Sequence, residues 1–459
     1  MLESIKKIFS NKVFRVLMPL IDMIIIFGAN YFCFYIFKDS LDNFYTNYTS
    51  FIKVYPWMAI GYLLLSRIFD LEKPRETSFF GMAYTVSLII IILVFFTMAM
   101  SFLVREFAYP RSILFLSTII EIIVISLWYW IANLFYQRAN EQNKVLIIGE
   151  ERAKELAQKL LTTKGMWANV RKICYHKSEQ LHDCIDKCDV AIITEDVSED
   201  RKQNIIKYCI EKDKRTLYEP KNKEILLFNA SMMQVDDSPM LAVKELGMQS
   251  GNEAAKRFID VSIALVGAIV FIIPTVILYF ILKISGGTAF YVQERVTRGG
   301  KIFKIYKFRT MIENAEAVSG PVLAQEMDKR ITRLGHFMRA TRLDEIPQIF
   351  NVLKGDMSIV GPRPERPFFV EQFAKELPEY NMRHRVKAGL TGLAQVQGRY
   401  NTSVRDKLKY DLLYINAYSL ALDVKLILQT LNILLRSDST QGVINTENME
   451  NEIEKIWQE

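Results

Sequence analysis

The sequence predicts a membrane protein in three parts. We expect a four-helix transmembrane bundle at 1–140, a Rossmann-like α/β domain at 141–250, and a mixed α+β domain at 251–459 that contains a re-entrant membrane helix. Three observations predict this order: four apolar stretches come first, alternating apolar strands and helices follow, and a fifth apolar stretch then precedes a basic segment. Half of the 459 residues are hydrophobic, which is more than an ordinary soluble enzyme carries.

The four apolar stretches predict the transmembrane bundle because each is long enough to cross a bilayer as a helix. They cover residues 17–37, 51–69, 80–104 and 113–135. Lysines and arginines before the first stretch and after the fourth favour a cytosolic location for both ends of the bundle. The second stretch is the weakest, since Lys53, Pro56 and Arg67 interrupt it. Asp22 and Glu121 lie within the stretches, and we expect them to snorkel or pack near the span ends.

The middle of the chain alternates apolar strands with a helix, as in Rossmann-like domains. A dinucleotide site would need Gly-x-Gly-x-x-Gly after the first strand, whereas Gly149 is followed by Glu150 and Glu151. Two acids beside a pyrophosphate are unfavourable, so we expect a regulatory or structural module and no NAD. The strands are expected at 144–149, 190–194 and 215–218, and the helix at 150–161.

The fifth apolar segment, 257–283, is predicted to enter the membrane and return through the same leaflet. It is long enough to span, but basic residues flank both of its ends, which favours the cytosol for each. Pro274 lies in its interior, where proline removes a backbone donor and bends a helix. Asp260, near the start, is expected at the membrane interface. A kinked fifth span is the alternative, and it would place the following basic segment outside the cell.

That basic segment has six lysines and arginines from Arg295 to Arg309 and no acid among them. Its β-branched and aromatic residues, on either side of Gly299 and Gly300, predict a β-hairpin. The strip suits a diphosphate or a lipid headgroup, and a solvated basic face is the alternative. The net charge of +7 fits a polyanionic substrate at an anionic leaflet. We expect no nucleic-acid partner, since no DNA-binding motif is apparent.

Adjacent carboxylates after two arginines form the most informative cluster. Asp344 and Glu345 offer a nucleophile, a base and Mg²⁺ ligands, while Arg339, Arg342 and Arg363 offset phosphoryl charge. A plainer interpretation makes Asp344 a helix N-cap and Glu345 a first-turn acid. The two interpretations are compatible, because a helix N-terminus also favours a bound phosphate.

Several motifs in the last part of the chain resemble one known family. From about Lys256 to Gln441, the chain is similar to the bacterial polyprenyl-phosphate sugar-1-phosphate transferases, the monotopic phosphoglycosyl transferases. The matching pieces are Gln293-Glu-Arg295-Val, Lys304-Ile-Tyr-Lys-Phe-Arg309-Thr-Met, Arg342-Leu-Asp344-Glu345-Ile-Pro347-Gln348, Gly361-Pro-Arg-Pro364 and Val386-Lys-Ala-Gly389-Leu-Thr-Gly392-Leu-Ala-Gln395-Val-Gln-Gly398-Arg399. The bundle and the degenerate Rossmann-like domain match the large subgroup. One departure is Ile273 before Pro274, where the family usually has serine.

The resemblance implies a two-step reaction at the inner membrane of a bacterium, with the active site in the cytosol. Asp344 would attack the β-phosphate of a UDP-hexose and release UMP, and undecaprenyl phosphate would then take the sugar-phosphate from the aspartate. Mg²⁺ would neutralise the diphosphate, with Asp344 as a ligand, and Glu345 would be either a metal or water ligand or a general base. The contacts to phosphate or uridine would come from Arg339, Arg342, Pro362, Arg363, Lys307, Arg309, Gln395, Arg399 and Asp411.

Other membrane enzymes fit less well. The chain lacks the spans of a polytopic phosphoglycosyl transferase, the Asp-Gly-x-x-Ala-Arg run of a CDP-alcohol phosphotransferase and the P-loop of a kinase. UDP-N-acetyl-sugar specificity remains an alternative to glucose or galactose. An inert membrane scaffold of polysaccharide assembly is an alternative of a different class. A homo-oligomer and contacts with other polysaccharide-assembly proteins also stay open.

Overall fold

The computed structural model describes most of the chain in two compact units. The first unit contains Met1–Glu219 and Val443–Glu459, and the second contains Pro220–Gly442. The described residues are 11–71, 79–140, 144–161, 170–243, 246–247, 250–312, 330–398, 402–434 and 457–458.

The N-terminal part of the first unit consists of four long helices packed on one another. Three of them contain stretches long and apolar enough to cross a membrane: Leu17–Ile36, Phe79–Leu103 and Arg111–Phe135. The second helix has 25 residues and buries Phe51, but it is less apolar than the other three. These helices are α1 (Asn11–Ile36), α2 (Phe44–Ile68), α3 (Phe79–Leu103) and α4 (Arg111–Asn140).

The two acids within these helices do not snorkel. Both are buried, and both join helices by hydrogen bonds. The hydroxyls of Tyr62 and Tyr129 each donate to Asp22 Oδ2 at 2.7 Å, and Asn30 Nδ2 donates to Glu121 Oε1 at 2.8 Å. A buried carboxylate needs such donors because apolar surroundings otherwise penalise it strongly. Of the two roles expected for these acids, packing is therefore the one that the structure shows.

The rest of the first unit is a parallel sheet with the strand order β11-β2-β1-β3-β4. The first strand, β1, is buried on both faces, which explains its run of apolar residues. The strands are β1 (Val145–Gly149), β2 (Val170–Tyr175), β3 (Val190–Ile193), β4 (Arg215–Tyr218) and β11 (Trp457–Gln458). The helices are α5 (Glu151–Leu161), α6 (Leu181–Asp186) and α7 (Glu199–Glu211).

A carboxylate of the chain itself occupies the N-terminus of α5, at the carboxyl end of β1. Asp196 Oδ2 accepts hydrogen bonds from the backbone amides of Glu150 and Arg152, each at 3.0 Å. The Arg152 guanidinium is held in turn by Glu219, at 2.6 Å from Nη2. In dinucleotide-binding folds the pyrophosphate lies against the amides at this position. In this protein the carboxylate of Asp196 takes the place of a pyrophosphate at these two amides.

The second unit begins with a short helix and an exposed hairpin, and then contains the mixed α/β domain. Its strands are β5 (Ser231–Val235), β6 (Ser238–Ala242), β7 (Phe290–Val296), β8 (Ile302–Phe308), β9 (Ser358–Val360) and β10 (Gly389–Thr391). Its helices are α8 (Asn222–Leu227), α9 (Ser250–Val270), α10 (Ile272–Ile284), α11 (Arg333–Ala340), α12 (Gln348–Lys354), α13 (Pro367–Glu376), α14 (Leu393–Gln397), α15 (Val404–Asn416) and α16 (Leu420–Leu434). The antiparallel pair β7–β8 is the predicted basic hairpin, and it turns at Gly299 and Gly300 with positive φ.

The predicted re-entrant segment is a pair of helices with a bend of 60° between them. The bend lies at Phe271, and Pro274 is the third residue of α10 instead of an interior helix residue. Proline at this position leaves the carbonyl of Val270 without its helical donor and crowds it, so the helix breaks three to four residues before the proline. The bend forms although Ile273 replaces the serine usual in the family.

Both arms of the bent pair are anchored to the same domain. In the first arm, Lys256 Nζ lies 2.6 Å from Asp423 Oδ2, and both side chains are buried. Asp260 Oδ1 accepts from Ser358 Oγ and from the Ile359 amide, each at 3.0 Å. Asp260 is therefore buried in protein, where its carboxylate joins the first arm to β9.

The second arm buries Leu278 and Leu282 against Phe308 and Met338. The middle of the bent pair is different, because its large apolar side chains are exposed. These include Leu265, Val266, Ile269, Val270, Ile272, Ile273 and Ile277. An apolar tip of this size, joined to a domain at both ends, indicates a surface that contacts lipid.

The carboxylate at the N-terminus of α5 generates a prediction. In Asp196→Ala, the amides of Glu150 and Arg152 lose a charged acceptor, so the free energy of their local opening should fall by about 1.5–3 kcal/mol. Hydrogen–deuterium exchange of a peptide covering 145–155 should then be at least roughly tenfold faster.

Asp200→Ala, which removes an exposed acid from α7, is the matched control and should leave this peptide unchanged. Equal protection of the peptide in Asp196→Ala and the parent would contradict the anchoring role of Asp196.

Candidate active site

The two adjacent carboxylates lie in a tight turn that leads into α12. Leu343–Glu345 forms a 3-10 turn, and the preceding Arg342 has a left-handed backbone with φ 58°. The helix itself begins at Gln348 with Pro347 at its N-cap position, so the N-cap interpretation of Asp344 is wrong. The turn places Asp344 in a buried position, 8% exposed, instead of on the helix end.

A buried asparagine fixes this turn against the basic hairpin. Asn351 lies on α12 and is fully buried. Its Nδ2 donates to the Lys304 carbonyl at 2.7 Å, and its Oδ1 accepts from the Tyr306 amide at 3.1 Å. An amide side chain thus replaces a missing strand partner along β8. The hydrogen bonds from Asn351 to the backbone of Lys304 and Tyr306 therefore hold this part of β8, and with it Lys307, beside the carboxylates without the help of charge.

Glu345 forms the strongest ion pairs of the site. Its Oε1 lies 2.8 Å from Arg363 Nη2 and 3.1 Å from Lys307 Nζ. Burial alone would raise the pKa of Glu345, but Arg363 and Lys307 outweigh burial and hold the pKa well below its ordinary value. The pKa of Arg363 is raised by Glu345 in return. Glu345 is thus an ionised carboxylate whose charge is already balanced.

Asp344 has a different environment from its neighbour. Burial raises its pKa above the ordinary value, and the adjacent charge of Glu345 adds to this rise. Lys307, Arg339 and Arg342 oppose the rise without cancelling it. Asp344 Oδ1 is buried and has no hydrogen-bond partner among the described residues. The site therefore contains one satisfied carboxylate beside one with a free acceptor atom.

The two arginines that precede the turn are less constrained. Arg339 ends α11, and its Nε donates to Thr310 Oγ1 at 2.9 Å. Thr332 caps the start of that helix by accepting from the Gly335 amide. Arg342 is exposed, although its charge acts on Asp344. Both arginines leave guanidinium donors near Asp344 that a bound anion could use.

The loop that carries Arg363 is held through its backbone at five successive residues, 361–365. The Gly361 amide donates to Thr391, at 2.8 Å. The other four residues accept through their carbonyls. The Pro362 carbonyl accepts from the Gly389 amide at 2.9 Å, and the Glu365 carbonyl accepts from the Val296 amide at 3.0 Å. The Arg363 carbonyl accepts from Arg383 Nη2 at 2.9 Å, and the Pro364 carbonyl accepts from Arg295 Nη1 at 3.1 Å. This loop is rigid without help from its own side chains, which leaves Arg363 to face Glu345.

Asp411 acts on this loop indirectly. It is buried, and its Oδ2 accepts from Arg383 Nε at 3.0 Å and lies 2.8 Å from Arg383 Nη2. Arg383 then reaches the Arg363 carbonyl and the Tyr380 hydroxyl. Arg383 was not identified from the sequence, because the Arg-His-Arg run that contains it has no pattern that indicates a buried position.

The remaining sequence candidates are less closely tied to the carboxylates. Arg309 donates to the Gly286 carbonyl in the loop after α10. Gln395 has a buried amide with no partner for either polar atom within the described part of the chain. It lies beside Gly392, where a Cβ would come within 2.2 Å of the Gly361 carbonyl oxygen, so that position requires glycine. Arg399 lies outside the described residues.

The described side chains alone do not supply enough ligands for a magnesium ion, so a substrate would have to provide the others. No cluster of three or more His, Cys, Asp or Glu side chains suited to a metal occurs among the described residues. Mg²⁺ in phosphoryl-transfer sites is held by one or two carboxylates together with substrate phosphates and water. The carboxylate of Asp344 fits such a ligand because it has two oxygens, so one can bind the ion while the other stays free, whereas Glu345 Oε1 is occupied by two cations.

Comparison with known proteins places residues 251–437 in the family described as "Bacterial sugar transferase". A putative undecaprenyl-phosphate N-acetylgalactosaminyl 1-phosphate transferase of Bacillus subtilis is 52% identical over 28% of this chain and 73% of its own length. A UDP-glucose:undecaprenyl-phosphate glucose-1-phosphate transferase of Caulobacter vibrioides is 39% identical over 40% of this chain and 71% of its own length.

A UDP-N-acetylgalactosamine-undecaprenyl-phosphate N-acetylgalactosaminephosphotransferase of Aeromonas hydrophila is 46% identical over 33% of this chain, but only 36% of its own length is matched. These matches agree with the resemblance carried by the sequence motifs around Asp344 and Arg363. The chain belongs to the bacterial sugar transferase family, that of the undecaprenyl-phosphate sugar-1-phosphate transferases.

Proposed function

We propose that this protein transfers a hexose-1-phosphate from a UDP-sugar to undecaprenyl phosphate and releases UMP, beginning a capsule or exopolysaccharide repeat unit. The observation that carries the proposal is Asp344, a buried carboxylate with one unpaired oxygen beside lysine and arginine charges. The names of the relatives support a polyprenyl-phosphate acceptor and a sugar-phosphate donor.

The proposed reaction has two displacements at phosphorus. Asp344 Oδ1 attacks the β-phosphorus of the UDP-sugar, and the bond to the UMP oxygen breaks with its electron pair leaving on UMP. An oxygen of undecaprenyl phosphate then attacks the same phosphorus and releases the aspartate. A carboxylate nucleophile suits the second step because an acyl phosphate is reactive. The net result is an undecaprenyl-diphosphate sugar.

The surrounding residues have separate roles in this proposal. Arg339, Arg342 and Lys307 bind the phosphate charges, and Arg363 does so while it balances Glu345. Pro362 keeps the loop of Arg363 rigid, and Asp411 positions the loop through Arg383. Gln395, Arg309 and Arg399 contact the remaining part of the nucleotide. A Mg²⁺ ion held by Asp344 and the diphosphate would neutralise charge between two approaching anions.

The sugar is proposed as glucose or galactose, with an N-acetylated hexosamine as the second candidate. The observation that favours the second candidate is that the Bacillus and Aeromonas relatives are both named for N-acetylgalactosamine. Mass spectrometry of the lipid-linked product, after incubation with an equimolar mixture of UDP-sugars, distinguishes the two.

We further propose an inner-membrane protein with a four-helix bundle, a Rossmann-like module and a cytosolic active site. Three helices are apolar enough to span, and α2 completes the bundle by packing against its neighbours. The bent pair α9–α10 enters the membrane and returns, because Lys256 and Asp260 in one arm and Leu282 in the other contact the same domain.

The role of Asp344 leads to the first test of this function. Asp344→Asn should abolish UMP release and the covalent adduct, since a neutral amide cannot attack phosphorus. It should also unfold at the same or a higher temperature than the parent. Because the folded-state pKa of Asp344 is raised, its ionisation at neutral pH destabilises the fold, and the amide removes that penalty. An assay for released UMP, intact-protein mass and thermal unfolding measure the three outcomes.

Glu371→Gln, which neutralises an exposed acid on α13, is the control and should behave as the parent. Parental turnover in Asp344→Asn would rule out the covalent mechanism, and an inert parent protein with every UDP-sugar would favour the scaffold alternative.

The pH dependence of UMP release should report the raised pKa of Asp344. The group must be ionised to attack, so the rate should fall on acidification at a pH above the ordinary aspartate value of 3.8. In Glu345→Gln this acid limb should move to lower pH. The variant loses the carboxylate that raises the pKa of Asp344, and it frees Arg363 and Lys307 to stabilise the aspartate charge. An unchanged limb in that variant would show that another group controls it.

Membrane topology can be tested with single cysteines in a cysteine-free background. Ala254→Cys is exposed near the start of α9, Thr288→Cys is exposed after the end of α10, and Asp42→Cys lies between α1 and α2. An impermeant thiol reagent should label only position 42 in intact cells, and all three after the membrane is opened.

Labelling of position 288 from outside would mean a true span. Pro274→Leu should increase that labelling, because it restores a donor for the Val270 carbonyl and removes the steric clash.

A further inference from the structure

A second unpaired polar group lies one turn after Asp344. The amide Nε2 of Gln348 is buried and has no hydrogen-bond partner among the described residues. Its side chain is only 3% exposed, so bulk solvent has little access to it. A buried donor without an acceptor is unfavourable and is uncommon in folded proteins. Its presence here requires a reason.

Gln348 begins the helix that follows the turn of the proposed nucleophile. The 3-10 turn at Leu343–Glu345 continues through Ile346 and Pro347, both in right-handed helical conformation, into α12. Gln348 follows Asp344 by four residues, a little more than one turn along such a path. Asp344 has an unpaired acceptor and Gln348 an unpaired donor, yet the two do not bond to each other. Each of them is available to a third group.

A second buried side-chain amide on α12, that of Asn351, has a structural role and can be compared with Gln348. Asn351 lies three residues further on and uses both its Nδ2 and its Oδ1 in bonds to β8, at 2.7 and 3.1 Å. The difference between the two amides cannot come from helix packing alone, since both are buried on α12. Both polar atoms of the Asn351 amide are used in hydrogen bonds within the fold, whereas Gln348 Nε2 is not.

We propose that Gln348 is a further catalytic residue, which donates its amide N–H to a non-bridging oxygen of the phosphoryl group that moves to Asp344. This inference rests on the proposed function. In the first displacement the Asp344 Oδ1–phosphorus bond forms while the bond from phosphorus to the UMP oxygen breaks, and Gln348 neither gives nor takes a proton. The oxygen that it contacts belongs to the group in transfer, so the bond is maintained in the adduct.

A neutral amide is suited to this position. Arg363 and Lys307 already balance Glu345, and the charges of Lys307, Arg339 and Arg342 already act on Asp344, so the position of Gln348 needs no additional cation. An amide donor adds a hydrogen bond to the phosphoryl oxygen without changing the net charge. It also does not titrate, so its contribution should be the same across the pH range.

The test uses the full-length protein in lipid nanodiscs with UDP-glucose and UDP-N-acetylgalactosamine as donors. Gln348→Met keeps the approximate volume and removes the donor. It should slow single-turnover UMP release by roughly 10- to 150-fold, the range for a lost hydrogen bond to a charged group. The loss should fall on kcat more than on KM, the pH profile should run parallel to that of the parent, and thermal unfolding should not move to lower temperature.

Gln348→Glu, with the same shape and no amide donor, should lose at least as much activity. Asn351→Leu is the matched control for a structural amide and should unfold at lower temperature. Parental rates in both Gln348 variants would overturn the inference, as would a loss of rate that appears only with a fall in unfolding temperature like that of Asn351→Leu.

These results are separable from the proposed function itself. If Asp344→Asn still turns over, the covalent mechanism fails whatever Gln348 does. If Asp344→Asn is inactive and the parent forms the adduct, while the Gln348 variants form it at the parental rate, only the role of Gln348 fails.

Discussion

The architecture of the site depends on the need to balance one buried negative charge. Glu345 is held at 2.8 Å by Arg363 and at 3.1 Å by Lys307, which lie 18 and 38 residues away in the chain. A buried carboxylate without such partners would be strongly destabilising, so the turn, the hairpin and the arginine loop have to meet at this point. The backbone bonds to residues 361–365 and the Asn351 contact to β8 make that meeting geometrically possible.

Because Glu345 takes the nearest cations, its neighbour is left with different chemistry. The pKa of Glu345 is lowered and that of Asp344 is raised, although the two residues are adjacent. Two carboxylates whose environments separate their pKa values are typical of sites that assign them different tasks. In this site the separation comes from how the cations are distributed around the two residues.

Much of this arrangement was accessible from the sequence, and the reasons for the exceptions are physical. The apolar stretches, the parallel strands and the basic hairpin follow from local pattern, whereas the 3-10 turn at Leu343–Glu345 was not predicted. The burial of Asp260 in protein was not predicted, because its carboxylate bonds to β9, nearly a hundred residues later, and local pattern does not report such a contact. Arg383 was missed for the same reason, since its importance comes from Asp411 and the Arg363 carbonyl. The bend was placed at Pro274, yet it lies at Phe271 because a proline disturbs the turn before it.

The Lys256–Asp423 pair has a consequence for biosynthesis, because 167 residues separate its members. At a synthesis rate of roughly 5–20 residues per second, the ribosome needs on the order of 8–30 s to reach Asp423 after Lys256. During that interval Lys256 and Asp260 carry charges without their later partners, and unpaired charges resist transfer into hydrocarbon. Until those partners have been made, the charges oppose transfer of the first arm into an apolar environment. The same two side chains thus stabilise the finished fold and give the unfinished chain a preference for water over hydrocarbon.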